Sequence, residues 1–285
     1  KSIKIVDALN LIKKAKEELQ KVGIESGQIE GEILLSSLLG IERYKIYTEK
    51  IFISEKIQKK FFKLIERRKR RIPLAYITKK IYFYNCEFMI EKGIFIPRPE
   101  TELLVEKAIN IYKEYFYPKQ IRILDIGIGC GNIAITIAKN VENCIVSGVD
   151  ISKKCLKIAH KNAILNKVEK KTKFLLSNIF DKINEKFEII VSNPPYVSKI
   201  EYEKLEEEIK KEPKRALIGG KDGVKIIKKI LRGSVFHLKK NGFLIIETGY
   251  NQVLEIKKII PQALKLFSIE KDLSSFERIV VFKKI

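Results

Sequence analysis

The spacing of apolar residues divides the chain near residue 80. Before that point apolar positions recur every three or four residues, the period of a helix with one buried face. "IVDALNLIKKAKEEL" places Ile5, Ala8, Leu9, Ile12, Ala15 and Leu19 along one side. "EGEILLSSLLG" and "SEKIQKKFFKLIERRKRR" repeat the pattern, the second with Ser54 in the position of an N-cap. Three or more short amphipathic helices are predicted, forming a small bundle that ends where Pro73 breaks the pattern. From Ile81, "IYFYNCEFMIEKGIFI" is aromatic and β-branched, with turn signals at Asn85 and Lys92-Gly93. This composition predicts a hairpin joining two domains. "PRPETELLVEKAINIY" then has the charge order of a helix start, with Pro99 early and Glu100 and Glu102 in the first turn.

From Ile121 onward the period alternates. "IRILDIG", "NCIVSGVD", "KFLLSN", "FEIIVSN", "GFLIIETG" and "RIVVFKK" read as strands. "NIAITIAKN", "SKKCLKIAHKNAILN", "GVKIIKKILRGSVFHL" and "NQVLEIKKIIP" read as helices between them. Such alternation predicts an α/β domain, a doubly wound and largely parallel sheet that binds ligands at the carboxyl ends of its strands. The expected division is a helical domain over 1–78, a hairpin linker over 79–98 and the sheet domain over 99–285.

Composition adds three limits. No uncharged apolar run of about 18 residues is present, so no membrane span is expected. Asp7, Lys13, Lys14 and Lys16 interrupt any signal-like core, which predicts a cytoplasmic protein. Cys86, Cys130, Cys144 and Cys155 show no C-x-x-C spacing and have only His160 and His237 to assist them, so no metal site is expected. The net charge of +22 favours an acidic or phosphate-bearing partner. Lysines are spread along the whole length with no basic tail, so the charge alone does not choose one.

Two stretches carry chemistry. The first, "DIGIGCGNIA" from Asp125 to Ala134, ends the first strand of the sheet. Gly127, Gly129 and Gly131 let backbone approach a ligand, and the helix that follows offers free N–H groups. Cys130 in this loop reads as a small space-filler, the alternative being a thiolate stabilised by the helix start. Asp150 closes the next strand, where a carboxylate can accept both hydroxyls of a ribose. The loop also satisfies a loose dinucleotide pattern, so a dehydrogenase and a methyltransferase both fit at this point.

The second stretch, "SNPPY", ends the fourth strand at Ser192–Tyr196. Two prolines make a stiff corner, useful where a planar and weakly nucleophilic nitrogen must be aimed. The Asn193 side-chain oxygen and the Pro194 backbone carbonyl can each accept one N–H of an amide or aromatic amine, leaving its lone pair directed at an electrophile. Pro195 stiffens the turn, and Tyr196 can pack on the flat face of the substrate group. A dehydrogenase has no use for this corner.

Asp-x-Gly-x-Gly-x-Gly followed by Asn-Pro-Pro-Tyr resembles the class I S-adenosylmethionine-dependent N-methyltransferases. "FIPRPETELLVE" (Phe95–Glu106), "EPKRALIGGKDG" (Glu212–Gly223) and the closing "FERIVVF" resemble, more narrowly, the PrmC/HemK family of release-factor glutamine methyltransferases. The resemblance spans essentially the whole chain. It implies a seven-stranded Rossmann-like sheet and one methyl transferred from S-adenosylmethionine to N5 of the glutamine in the Gly-Gly-Gln motif of class I peptide chain release factors. It also implies that Gly127, Ile128, Gly129, Cys130 and Gly131 line the cofactor, that Asp150 holds its ribose, that Asn193 borders the cofactor too, and that Asn193, Pro194, Pro195 and Tyr196 hold the glutamine. Asn178 and Ile179 occupy the adenine position, where the family usually has an acidic residue before the apolar one. "PRPE" would approach the methionine end, with Arg98 equally placed for a structural ion pair. The other enzymatic reading is an adenine-N6 methyltransferase of DNA or RNA, since an exocyclic amine suits the same corner. A non-enzymatic reading, a basic RNA-binding module with a vestigial cofactor site, conflicts with the intact glycine, aspartate and asparagine set. On the release-factor reading neither nucleic acid nor a membrane is required.

Overall fold

The two periods of the sequence become two units in the computed structural model, which describes residues 6–285. One unit runs to Lys79 and takes in Glu207–Lys211; the other holds Lys80–Glu206 and Glu212–Ile285.

In the smaller unit α1 (Ala8–Gln20), α2 (Gly27–Leu39), α3 (Lys45–Thr48), α4 (Glu55–Lys69) and α5 (Leu74–Thr78) surround a core of Leu11, Leu19, Leu34, Leu35, Ile46, Phe61 and Ile65. β1 (Val6–Asp7) pairs antiparallel with β2 (Phe52–Ile53). Of the apolar positions expected on α1, Ala8, Ile12, Ala15 and Leu19 are buried and Leu9 is 43% exposed. Leu11 takes its place in the core; Ile5 lies outside the described residues. The α1 cap is Asp7, whose carboxylate accepts from Leu9 N–H at 2.9 Å. Ser54 stands at the N-cap of α4 but makes no side-chain cap bond.

The basic end of α4 is less uniform than its sequence. Arg68 is buried and donates to Glu30 through Nε (2.5 Å) and Nη2 (3.2 Å), and to Glu208 through Nη1 (2.9 Å). Arg71 joins Glu208 at 3.0 Å, and Lys69 bridges Glu18 and Glu66. Glu208 is the acidic contribution of the Glu207–Lys211 segment to this unit. Arg68 is therefore an internal ion-pair residue, not part of a free cationic surface.

The larger unit begins with the expected hairpin, β3 (Lys80–Phe83) and β4 (Cys86–Met89). A 3₁₀ turn at Pro99–Thr101 leads into α6 (Glu102–Ile111). Then come β5 (Ile121–Ile126), α7 (Asn132–Asn140), β6 (Cys144–Asp150), α8 (Lys153–Leu165), β7 (Thr172–Leu176) and β8 (Phe187–Ser192). Asn162 and Asn166 of α8 bond the backbone of Met89 and Glu87, so the hairpin is stitched to the sheet unit. A short parallel pair, β9 (Val197–Ser198) and β10 (Ile218–Gly220), follows. The helix Lys225–His237 and β11 (Leu238–Glu247), β12 (Leu264–Lys271) and β13 (Glu277–Lys284) complete the chain.

The sheet has seven strands in the order β12-β13-β11-β8-β5-β6-β7, with β13 antiparallel to both neighbours. β5, β8 and the second half of β11 are buried on both faces, which is why they read as continuous apolar runs. β12 is the strand that periodicity does not mark. It lies at the edge, and register shifts at Leu266/Ser268 and Glu270/Lys271 break its alternation. The helix expected over "NQVLEIKKIIP" is only Val253–Lys257, since Pro261 disfavours helical backbone before it. Among the described residues no helix is long and apolar enough to cross a membrane.

Removing Arg68 would strand Glu30 in the helical unit without its bidentate partner. Arg68→Ala is expected to destabilise that unit by about 3–5 kcal/mol, measured by urea denaturation followed by circular dichroism. A midpoint equal to wild type would show that the buried pair contributes nothing.

Candidate active site

Sheet register assembles the site. Ile126 at the end of β5 pairs with Val149 of β6 and with Ser192 of β8, and Ser192 pairs with Ile246 of β11. The next residue on each strand is Gly127, Asp150, Asn193 and Glu247 respectively. Four polar or glycine positions distant in sequence thus emerge side by side at the carboxyl edge. Ser192 Oγ fastens β8 to β5 by donating to the Ile126 carbonyl at 2.8 Å. β5 lies where the chain order reverses, the usual position for a ligand crevice.

The glycine loop has the backbone its composition demands. Gly127, Gly129 and Gly131 have φ of +80°, +55° and +89°. A side chain at Gly127 or Gly129 would meet nothing within 4 Å, so the loop borders open space, whereas at Gly131 it would strike Ile135 and Ala159. The first two glycines face a cradle and the third permits close packing. Asp150 accepts from Gly129 N–H at 3.1 Å and Ser152 N–H at 2.8 Å, one on each oxygen. Each oxygen keeps lone-pair capacity for a further donor. Burial raises the Asp150 pKa. This arrangement fits a nucleoside-bearing cofactor, with backbone close to it and a carboxylate for its hydroxyls. Ile128 and Cys130 are buried beneath the loop; burial pushes the Cys130 thiol up to about 12, so it remains a neutral space-filler. Asn178 follows β7, its Nδ2 donating to Asp181 at 3.1 Å, and Ile179 beside it adopts φ of +53°.

At the corner, Asn193 Nδ2 donates to Thr101 Oγ1 at 3.0 Å. Among the described residues neither Asn193 Oδ1 nor the Pro194 carbonyl has a partner. Pro194 is buried. Tyr196 packs its ring against the sheet core and donates its hydroxyl to Glu247 Oε1 at 3.1 Å. Burial first, and then Glu247, raises the phenol pKa. Behind the corner Gln252 Nε2 donates to the Tyr196 carbonyl at 2.7 Å. A side chain at Gly219 would overlap the Pro195 carbonyl and one at Gly223 the Tyr196 carbonyl, so "IGGKDG" is glycine-rich because backbone lies on backbone there. Arg98 pairs with buried Glu212, which also accepts from Ile96 N–H at 2.9 Å. Of its two sequence roles, Arg98 takes the ion pair.

Known proteins resemble this chain in sequence and in fold. The PrmC N-terminal domain model matches residues 10–78 and the methyltransferase small domain model matches residues 99–223. A release factor glutamine methyltransferase of Fusobacterium nucleatum is 38% identical over 282 residues, covering 97% of this chain and 78% of that protein. The chain belongs to the release factor glutamine methyltransferase family. A second relative of that name, from Thermodesulfovibrio yellowstonii, is 35% identical over 258 residues, covering 90% of this chain and 92% of its own. In fold, a methyltransferase structure from Pyrococcus furiosus aligns with a TM-score of 0.55 at 18% identity, covering 77% of this chain and 98% of that one.

Within this family member, three further residues lie at the site, one marked in the sequence and two not. Asp125, fully buried, accepts from Ala134 N–H at 3.1 Å through Oδ2, while Oδ1 has no partner among the described residues. Its place in the glycine motif was the available signal. Thr101 and Glu247 lie in "PRPET" and "LIIETG", where they read as ordinary helix-start and strand-end residues.

Burial, with a smaller contribution from the charge of Asp150, raises the Asp125 pKa to about 7. A carboxyl whose folded pKa exceeds its unfolded one stabilises most below the unfolded value and loses that contribution as pH rises through about 7. Asp125→Asn does not titrate. The melting temperature of the ligand-free variant minus that of wild type should therefore increase from pH 5 to pH 8, an effect of about 3 kcal/mol at most over that window. A difference constant with pH would place the Asp125 pKa near its ordinary value.

Proposed function

We propose that the protein methylates the side-chain amide nitrogen of the glutamine in the Gly-Gly-Gln motif of class I peptide chain release factors, using S-adenosylmethionine. The observation that carries this reading is the corner with two free acceptors, Asn193 Oδ1 and the Pro194 carbonyl, on a side chain already anchored through its nitrogen. A primary amide offers two N–H groups in one plane. Binding both fixes that plane and leaves the nitrogen lone pair to point away from it. When bound, S-adenosylmethionine supplies the electrophilic methyl. Gly127–Gly131 would hold it by close backbone approach and Asp150 by its ribose hydroxyls, with Asn178 Oδ1 and Ile179 at the adenine. Tyr196 holds the corner rigid from the core side. The release factor as substrate follows the names of the relatives. Around Phe62 on α4 lie Lys59, Lys63, Arg67 and Arg70 together with Glu55 and Glu66, a net basic face that suits an acidic partner surface although Lys59 is paired with Glu55.

A mono-methylated amide retains one N–H and can no longer fill both acceptors, so transfer stops at one methyl. Intact-mass spectrometry of a treated release factor should show a single added methyl on the Gly-Gly-Gln glutamine. Two methyls, or label found only in adenine of DNA or RNA, would replace this reading with the amine-methylating alternative.

Asn193→Ala removes one acceptor. It is expected to lower kcat about 30- to 1000-fold and to leave calorimetric cofactor affinity close to wild type. Wild-type turnover in this variant would reduce the corner to a turn.

A further inference from the structure

An asparagine amide has two ends that differ in hydrogen-bonding sense, and the corner works only with the oxygen outward. Thr101 cannot enforce this by itself, because a hydroxyl both donates and accepts. If Thr101 donated to Asn193, the amide would turn and present its NH₂ to the substrate. Two N–H donors would then face each other and the clamp would fail.

Glu247 resolves the choice. Its side chain is 1% exposed, Oε1 takes the Tyr196 hydroxyl, and Oε2 has no hydrogen-bond partner among the described residues. The Thr101 hydroxyl lies beside this carboxyl and favours its charged form. A carboxylate only accepts. Were it to take the single Thr101 proton, Thr101 Oγ1 would be left as an acceptor, in keeping with the NH₂ that Asn193 gives it at 3.0 Å, and Oδ1 would be directed outward.

We propose that Glu247 is a positioning residue that sets the polarity of the chain Glu247–Thr101–Asn193 and, through Tyr196, fixes both ends of the Asn-Pro-Pro-Tyr corner. The inference rests on the amide-clamp reading above and adds two residues to it. Neither touches the reacting atoms.

The relay is conditional on charge. Protonated Glu247 can donate to Thr101, reversing the chain. Burial raises the Glu247 pKa to about 7, opposed by Thr101, Tyr196 and Arg278 of β13 and reinforced by Glu100 of the 3₁₀ turn. Arg278 is itself held by Asp272 at 2.7 Å. The active form is the ionised one, so kcat should fall as pH drops below about 7. An amide substrate does not titrate in this range and gives no such limb by itself.

The test is single-turnover methyl transfer to a release factor from pH 5.5 to 8.5, beside calorimetry of S-adenosylmethionine binding. Thr101→Val and Glu247→Gln should each lower the rate roughly 10- to 100-fold with cofactor affinity unchanged. Glu247→Gln keeps the size but offers an NH₂ to Thr101, and should lose the acid limb. Thr101→Ser keeps the hydroxyl and should recover the rate. The double variant Thr101→Val/Glu247→Gln should be no slower than the worse single one, since both act through one chain. A wild-type rate and acid limb in Glu247→Gln, equal impairment of the serine and valine variants, or losses that merely track the unfolded fraction would overturn the proposal.

Failure of the function itself looks different: the wild-type protein would leave the Gly-Gly-Gln glutamine unmodified. The relay is then read without activity, from the Asn193 side-chain NH₂ resonances, identified by their loss in Asn193→Ala. Slow solvent exchange in wild type and fast exchange in Thr101→Val and Glu247→Gln support it. Equal exchange in all three rejects it.

Discussion

The level at which four parallel strands end governs this molecule. β6, β5, β8 and β11 are held in register by cores on both faces of the sheet, and a shift of one residue would carry an apolar set out of the interior. The same register decides that Gly127, Asp150, Asn193 and Glu247 are neighbours. Site geometry is thus inherited from hydrophobic packing far larger in energy than any contact within the site. Polar residues at the strand ends need only short fasteners, such as Ser192 on the Ile126 carbonyl.

Against that rigid frame stand two carboxyls placed where apolar burial opposes their charge. Asp125 and Glu247 each leave one oxygen without a hydrogen-bond partner among the described residues. A buried, incompletely satisfied acid costs stability, and a stable sheet end is the place where such a cost is tolerated. Glu212 shows the contrasting solution. It is equally enclosed, but Arg98 and Ile96 N–H satisfy it, and it serves to hold the segment before the 3₁₀ turn. The difference separates a carboxyl whose oxygens are both used to secure backbone and side chain from ones that keep acceptor capacity unused.

How much of this was legible in the sequence follows from how local each signal is. The helix-to-sheet change near residue 80, the glycine loop and the stiff corner depend on neighbours in the chain, and they were readable. Thr101 and Glu247 were not. Their roles arise from tertiary adjacency across about 90 and 50 residues to Asn193, and nothing in "PRPET" or "LIIETG" records which partner each will meet. β12 escaped for another reason: its bulges erase the two-residue period at an edge where burial is weak. Arg68 is hidden in the sequence for a further reason. A run of basic residues looks like one surface, but a helix distributes it around its axis, and the turn that faces inward meets Glu30 and Glu208.

The chemistry of the corner also limits what it can select. Two neighbouring acceptors suit a primary amide and an exocyclic aromatic amine alike, because both present two N–H groups and a delocalised lone pair. Neither Asn193 nor Pro194 therefore distinguishes glutamine from adenine. Charge does not distinguish them either, since the basic residues are dispersed and part of the densest run is consumed internally. Discrimination has to lie in the surfaces that bring a substrate to the corner. Membership of the release factor glutamine methyltransferase family, which extends through the helical domain as well as the sheet, is for that reason the stronger argument for a protein substrate than any feature of the reacting site.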